Sequence, residues 1–435
     1  MGKRKKPAPD VHLNLNIRGL GPSATLAINE RSDALRRQGR IVYKLGLGQS
    51  PFPVPDSVVE ALRSNAHQKD YLPVKGLLAL REAVAGYHGR VNGLTYTGAD
   101  VLIGPGSKEL MFLLQLTYYG DLVIPTPSWV SYAPQAQIIG RRVRWLSTEA
   151  EQAWRLTPDA LERLGREDPE RPRLLILNYP SNPIGNTYAA DELKALAGIA
   201  QRYRMVVLSD EIYGELHHTG QHVSIARYYP EGTIISAGLS KWCGAGGWRL
   251  GTFTFPETLH WLADAIAVTA SETFTATSAP IQFAAVRGFQ GGPDIDAYLA
   301  QCRRILGALG RYCAQRLRDA GAHVQPPRGA FYLFPDFGPF REALRQKGIT
   351  TSQGLCERVL QDTGVAILPG VVFGRPEDEL TARLAYVDFD GAAALEAARN
   401  GEAQPVPVGF LKTCCAPVMT AIDRLCDWLQ QVRLR

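Results

Sequence analysis

Short apolar runs alternate with longer stretches of helical periodicity through the middle of the chain. This alternation indicates strands separated by helices, and it predicts an α/β fold with a mostly parallel sheet that helices cover. The predicted strands are 101–104, 122–125, 143–146, 174–178, 206–209, 233–236 and 250–255. The predicted helices among them are 75–91, 107–118, 189–203 and 256–269.

A long amphipathic helix over 298–318 leads the chain out of this region. Short strand-like runs and helices follow without regular alternation, which predicts a second, smaller α+β domain. Its predicted strands are 323–325, 330–334, 365–368 and 383–387, and its predicted helices are 351–362 and 418–432. With 435 residues, of which 45% are hydrophobic, the chain is long enough for two domains.

Charge and cysteine content narrow the class of protein. Part of the formal net charge of +6 lies in Lys3-Arg4-Lys5-Lys6, which lacks interleaved aromatic residues and is more typical of a solvated tail than of a nucleic-acid arm. No apolar signal segment follows this tail, and no run approaches the ~18 apolar residues that suggest a membrane span. Seven cysteines without Cys-x-x-Cys spacing favour reduced thiols, a cytoplasmic location and no metal site. We interpret Cys243 as a buried thiol.

Candidate chemistry follows the ends of the predicted strands, where open α/β sheets bind ligands. Asp210 closes one apolar run, and Lys241 lies among small residues 31 positions later (241 − 210). A lysine that attacks an aldehyde needs a neutral amine, and an aspartate can pair with a protonated ring nitrogen. The pair therefore indicates an enzyme built around pyridoxal phosphate (PLP).

A candidate phosphate site lies in 104–108, just ahead of a predicted helix. Backbone N–H groups at a helix start bind phosphate, Gly106 allows close approach, and Ser107 can cap the helix. Arg249, eight residues after Lys241 (249 − 241), offers a cation, and Ser240 offers a hydroxyl.

Seven motifs stand in a fixed order along the chain. They are Tyr71-Leu72-Pro73-Val74-Lys75-Gly76, Gly104-Pro105-Gly106-Ser107-Lys108, Pro127-Ser128-Trp129-Val130-Ser131-Tyr132, Ser181-Asn182-Pro183-Ile184-Gly185, Ser209-Asp210-Glu211-Ile212-Tyr213, Ser240-Lys241-Trp242-Cys243-Gly244 and Ala382-Arg383-Leu384-Ala385-Tyr386. This order and spacing resembles the class I and II aminotransferases of PLP fold type I, from about Leu20 to the C-terminus. The resemblance implies a seven-stranded large domain over 56–310, a small domain formed by 20–55 and 311–435, and a tail over 1–19.

The same resemblance implies roles for individual residues. Lys241 binds the cofactor aldehyde and moves the substrate proton, Asp210 pairs with the ring nitrogen, and Trp129 stacks on the ring. The implied contacts of the phenolic oxygen are Asn182 and Tyr213. The implied phosphate contacts are Gly106, Ser107, Lys108, Ser240, Arg249 and Tyr71 of the partner subunit, which implies a homodimer with shared active sites. The implied substrate contacts are Gly48, Asn182, Arg383, Ser23 and Thr25.

These parts predict a ping-pong exchange of an amino group between an amino acid and a 2-oxo acid. Ser23-Ala24-Thr25 and Lys108 match positions that a bacterial aspartate aminotransferase subgroup uses for its substrate, so we expect aspartate or a similar acidic amino acid, with 2-oxoglutarate as acceptor. A β-lyase, a decarboxylase or an oxidative deaminase would share Lys241, Asp210 and Arg383. A DNA-binding regulator with an aminotransferase-like domain is the other alternative, but only about 20 residues precede the matched region.

Overall fold

The computed structural model describes residues 12–399 and 406–433, so the basic tail of Lys3 to Lys6 lies outside the described residues. The strands are β1 (Tyr43–Lys44), β2 (Val101–Gly104), β3 (Asp121–Thr126), β4 (Val143–Ser147), β5 (Arg173–Asn178), β6 (Val206–Asp210), β7 (Thr233–Gly238), β8 (Gly251–Thr254), β9 (Tyr332–Leu333), β10 (Val365–Ala366), β11 (Leu368–Pro369) and β12 (Ala382–Ala385). The α-helices are α1 (Ala24–Arg37), α2 (Asp56–Asn65), α3 (Leu78–Asn92), α4 (Ser107–Thr117), α5 (Tyr132–Ile138), α6 (Pro158–Glu167), α7 (Ala190–Arg202), α8 (His260–Ser271), α9 (Ala279–Gln290), α10 (Pro293–Asp319), α11 (Arg341–Gln346), α12 (Ser352–Thr363), α13 (Gly391–Arg399), α14 (Val408–Cys414) and α15 (Ala416–Arg433).

The large sheet has seven strands in the order β2-β8-β7-β6-β5-β3-β4. Strand β8 runs antiparallel to both of its neighbours, β2 and β7, and the other pairings are parallel. The prediction of a mostly parallel seven-stranded sheet is therefore confirmed, and each of the seven predicted strands overlaps an observed one.

Helices cover this sheet on both faces, because alternate residues of a strand point to opposite sides. In β3, Leu122 and Ile124 enter one apolar cluster, together with residues of α4 and α8. Val123, which lies between them, enters a second cluster with residues of α6 and α7. Because helices cover both faces of the sheet, a ligand can reach polar side chains only at the ends of its strands.

Two smaller sheets connect distant parts of the chain. Strand β1 pairs in parallel with β10, and β12 lies antiparallel between β11 and β9. The 27-residue helix α10 leads from the large sheet to this region. No helix among the described residues is long and apolar enough to cross a membrane.

Two details of the predicted second domain are wrong. Residues 323–325 form no strand, since only His323 makes an isolated bridge, to Asp336. Pro326 and Pro327 follow at once, and proline has no N–H to extend a ladder. The predicted strand 365–368 is divided at Ile367, where the chain passes from the sheet of β10 to that of β11.

Candidate active site

A cavity of about 330 Å³ opens at the carboxyl ends of the parallel strands. Asn182 follows β5, Asp210 ends β6, and Lys241 follows β7. The first and last residues of the cavity wall, Ser107 and Arg249, are 142 positions apart in the chain (249 − 107). The residues of the sequence prediction that line this cavity are Ser107, Lys108, Trp129, Asn182, Asp210, Tyr213, Ser240, Lys241 and Arg249.

Lys241 reaches across the cavity toward the N-terminal part of the chain. Its Nζ donates a hydrogen bond of 2.7 Å to the carbonyl oxygen of Gly48 and lies 5.6 Å from the centre of the Tyr213 ring. Burial, followed by the nearby charges of Arg383 and Arg249, lowers the pKa of Lys241 to about 8. The structure therefore favours the neutral amine that chemistry at an aldehyde requires.

Asp210 is buried at the end of β6 and faces the same cavity. The hydroxyl of Tyr132 donates to its Oδ2 at 2.5 Å, and the backbone N–H of Ile212 donates to Oδ1 at 3.4 Å. Burial raises the pKa of Asp210 to about 6, although both hydrogen bonds oppose this shift. A cationic group placed against this carboxyl would stabilise its ionised form.

The opposite end of the cavity is suited to an anion. Gly106 precedes the first residue of α4 with φ +90°, and a Cβ there would collide with the guanidinium of Arg249. Burial and then the charge of Arg249 lower the pKa of Lys108. Ser107, at the helix start, lies beside both cations on the cavity wall. A helix N-terminus with two nearby cations favours a phosphate group.

Arg383 lies just behind the cavity and is almost completely buried. Its Nη1 donates to Oδ1 of Asn182 at 3.2 Å, and its Nη2 donates to the carbonyl oxygen of Gly46. Its guanidinium carbon lies 4.9 Å from the ring centre of Tyr332 and 5.2 Å from that of Phe373. These contacts hold the planar group in one orientation, as two-pronged binding of a carboxylate requires.

Besides Gly48, Gly106 and Arg383, three more predicted site residues do not line the cavity. Ser23 is the residue before α1 and lines a groove of about 660 Å³ that shares Lys108 with the cavity. Thr25 lies in the first turn of α1 but does not line that groove. The side chain of Tyr71 is 91% exposed.

Comparison with known proteins gives the family. The model of the family described as aminotransferase class I and II matches residues 40–387. The chain belongs to this family. The resemblance deduced from the seven motifs is therefore confirmed.

Relatives and solved structures agree with this assignment. The chain is 33% identical to an aspartate aminotransferase of Geobacillus stearothermophilus over 386 residues, which cover 86% of this chain and 94% of the relative. It is 30% identical to an asparagine–oxo-acid transaminase of Streptococcus mutans, with 86% and 94% covered. The structure of the Thermus thermophilus aspartate aminotransferase with maleate matches with a TM-score of 0.82 and 27% identity, covering 96% of this chain and all of the other. The chain is a PLP-dependent transaminase, and these matches support transamination over the lyase, decarboxylase and oxidase alternatives.

The aminotransferase cavity fits PLP by its charges and its shape. Among the described residues, its lining includes Lys108, Lys241 and Arg249 but only one carboxylate, that of Asp210, and Arg383 contacts Asn182 of the wall. An excess of cations suits a phosphate ester at one end and a substrate carboxylate at the other. The indole of Trp129 forms part of the cavity wall, with the Nζ of Lys108 5.2 Å from its ring centre. A buried amine, a buried carboxyl and a helix start therefore face the same space.

Sequence reasoning missed three polar residues of this aminotransferase site. Tyr132 donates to Asp210, and its signal was its place in the motif that contains Trp129. Asn178 ends β5, lines the cavity and donates through Nδ2 to the carbonyl oxygen of Asp210 at 2.9 Å. Tyr332 has no signal beyond lying in a predicted strand, and its hydroxyl is 2.7 Å from that of Tyr213. The interpretation of Cys243 as a buried thiol is confirmed, since it is a free and completely buried cysteine. Its burial raises its pKa to about 12.

Proposed function

We propose that this aminotransferase takes its amino group from aspartate or a similar acidic amino acid and passes it to a 2-oxo acid such as 2-oxoglutarate. The observation that carries the proposal is the position of Lys108, which faces both the cavity and the groove that Ser23 lines. Its Nζ lies 5.2 Å from the centre of the Trp129 ring. A cation at this place can bind the distal carboxylate of a dicarboxylic substrate. The name of the relative from Geobacillus, an aspartate aminotransferase, supports this choice.

The proposed roles of the residues follow from their positions. Arg383 is the proposed partner of the α-carboxylate through its fixed guanidinium, and Gly48 is the proposed backbone contact of the same group. A glycine is required at position 48 because a Cβ there would collide with Tyr332. PLP, when bound, supplies an aldehyde for the substrate amine and a ring that withdraws electrons. Asp210 would pair with the ring nitrogen of the bound cofactor and would favour its protonated form. The two side chains proposed to bond the phenolic oxygen are those of Asn182 and Tyr213.

Lys241 is the proposed catalytic acid and base. With a pKa of about 8, roughly a tenth of the amines are neutral at pH 7, whereas about 0.03% would be neutral at the ordinary value of 10.5. Its Nζ can therefore take a proton from the substrate and return it within the same cavity. Gly106, Ser107, Ser240 and Arg249 are the proposed anchors of the phosphate. Lys108, which lies near enough to Arg249 for their charges to interact, is proposed to attract the phosphate as well as the distal carboxylate.

We further propose a homodimer in which Tyr71 of the partner subunit completes the phosphate site. The segment that contains Tyr71 is tied to α8 by the bond of 2.6 Å between Lys75 and Asp264. On the same face of α8, Trp261 and Val268 are 57% and 68% exposed. An exposed apolar face of this kind favours coverage by a second copy. Pairing of β1 with β10 supports a small domain formed by 20–55 and 311–435, next to a large domain over 56–310.

The substrate proposal is tested with single half-reactions. PLP-loaded enzyme is mixed with each common amino acid, and the loss of the PLP absorbance is followed by stopped flow. We expect aspartate or glutamate to react fastest, and we expect Lys108→Met to reduce the rate with acidic substrates much more than with alanine. The control is Lys194→Met, which changes an exposed lysine of α7. A faster half-reaction with neutral or basic amino acids would refute the proposal.

A further inference from the structure

The Tyr332 hydroxyl lies where three of the proposed site residues meet. It is 2.7 Å from the hydroxyl of Tyr213, it occupies the space that a Cβ on Gly48 would need, and its ring lies against Arg383. The side chain is almost completely buried and belongs to β9, which pairs with the strand that carries Arg383. Tyr332 therefore connects residues proposed for the cofactor with residues proposed for the substrate.

The two phenols carry two protons but share one hydrogen bond. Burial raises the pKa of both hydroxyls, so both remain protonated at neutral pH. Among the described residues, neither hydroxyl has another hydrogen-bond partner. One O–H is therefore left over, and an unpaired buried donor costs free energy.

The surroundings decide which hydroxyl keeps the free proton. Tyr213 lines the cavity, where a ligand can accept a hydrogen bond, whereas Tyr332 does not line it. If Tyr213 donated to Tyr332, the remaining proton would be enclosed beside Gly48, where Tyr332 has no hydrogen-bond partner besides Tyr213 among the described residues. If Tyr332 donates, the remaining proton belongs to Tyr213 and can face the cavity.

We propose that Tyr332 is a positioning residue of this aminotransferase, which donates to the oxygen of Tyr213 and so turns the Tyr213 proton toward the cavity. This inference rests on the proposed contact of Tyr213 with the phenolic oxygen of PLP. A hydroxyl that accepts one hydrogen bond is a stronger donor of the next, by roughly 10–30%. A stronger donor favours the deprotonated form of the bound cofactor, which carries more negative charge on that oxygen.

The test is a pH titration of the visible absorbance of the PLP-loaded enzyme. We compare wild type, Tyr332→Phe, Tyr213→Phe, the double variant and Tyr386→Phe. Tyr386 is the matched control, because it is equally buried and its hydroxyl has no hydrogen-bond partner among the described residues. Each variant keeps its aromatic ring, and thermal unfolding with and without PLP checks that the fold is unchanged. The charged groups near Tyr213, which are Asp210, Lys241 and Arg383, are the same in all five proteins.

We expect the midpoint of the titration to rise by roughly 0.1–0.7 pH units in Tyr332→Phe and by about 1–2 units in Tyr213→Phe. The double variant should match Tyr213→Phe, because Tyr332 acts only through Tyr213. Tyr386→Phe should match wild type. The inference is overturned if Tyr332→Phe titrates like wild type, or if it adds the same increment when Tyr213 is already phenylalanine. If Tyr213→Phe itself leaves the midpoint unchanged, the proposed role of Tyr213 fails as well.

Discussion

Replacing Tyr132 by phenylalanine removes the side-chain hydrogen bond to Asp210 and leaves the ring in place. The bond measures 2.5 Å, and the Asp210 carboxyl that accepts it is buried. A hydrogen bond to a charged group contributes roughly 1.5–3 kcal/mol, and one pKa unit corresponds to about 1.36 kcal/mol. The pKa of Asp210, now about 6, should therefore rise by about 1–2 units, to between about 7 and 8.

The higher pKa of Asp210 should weaken the binding of PLP. Asp210 must be ionised to pair with a protonated ring nitrogen, so protonation of its carboxyl competes with binding. At pH 7, about a tenth of the Asp210 carboxyls are protonated in the wild type. In the variant, between half and nine tenths of them are protonated. We expect PLP affinity about 2–10-fold below wild type at pH 7, and a return to the wild-type value near pH 9.

The measurement is the apparent dissociation constant of PLP at half-unit steps from pH 6 to pH 9, by equilibrium dialysis. The control is Tyr118→Phe, which removes a buried hydroxyl that donates to the carbonyl oxygen of Arg173 at 3.3 Å, away from the cavity. If the ratio of the PLP affinities of wild type and Tyr132→Phe were the same at every pH, Tyr132 would not act on the ionisation of Asp210. The same conclusion would follow if the two affinities were equal at pH 7.

Three further changes test other parts of the site. Arg383→Lys keeps the charge but loses the planar fork, so we expect kcat/KM for the amino acid to fall roughly 10–150-fold in steady-state assays, and an unchanged value would contradict the proposed carboxylate contact. Gly48→Ala places a methyl group against the Tyr332 hydroxyl, and we expect a higher KM for the amino acid together with an upward shift of the absorbance titration; a wild-type titration would contradict the proposed packing. Glu211→Ala leaves the side chains of Ser209, His222 and Ser224 without the carboxylate they donate to, so urea unfolding should show a loss of at least about 3 kcal/mol, and a loss below about 1 kcal/mol would refute this reasoning.

The large sheet could be predicted because its strands are apolar and covered on both faces. Leu174 to Leu177 is a continuous apolar run that ends at Asn178, and β5 ends at the same residue. The site could be predicted in outline for a related reason. Motifs that follow strand ends must meet at one edge of a parallel sheet, whatever the length of the helices between them.

The pairing of β1 with β10 and the contacts of the supporting tyrosines could not be predicted in this way. Strand β1 has two residues, which is too short for any periodicity. The bond of Tyr132 to Asp210 spans 78 positions, and that of Tyr332 to Tyr213 spans 119. Contacts of this kind depend on how separate elements pack, and the local sequence around each tyrosine carries no record of its partner.

The pairing of β1 with β10 has a consequence for how the protein is made. Tyr43 lies opposite Val365, 322 positions later (365 − 43), and Arg383 reaches Gly46 later still. A ribosome that adds about 5–20 residues per second needs roughly 16–64 s to cover this distance. The nascent chain therefore carries Lys241 and the helix start at Ser107 well before it carries Arg383, whose guanidinium is proposed to bind the substrate carboxylate. The residues proposed to bind PLP are thus synthesised before the arginine proposed to bind the carboxylate of the amino acid.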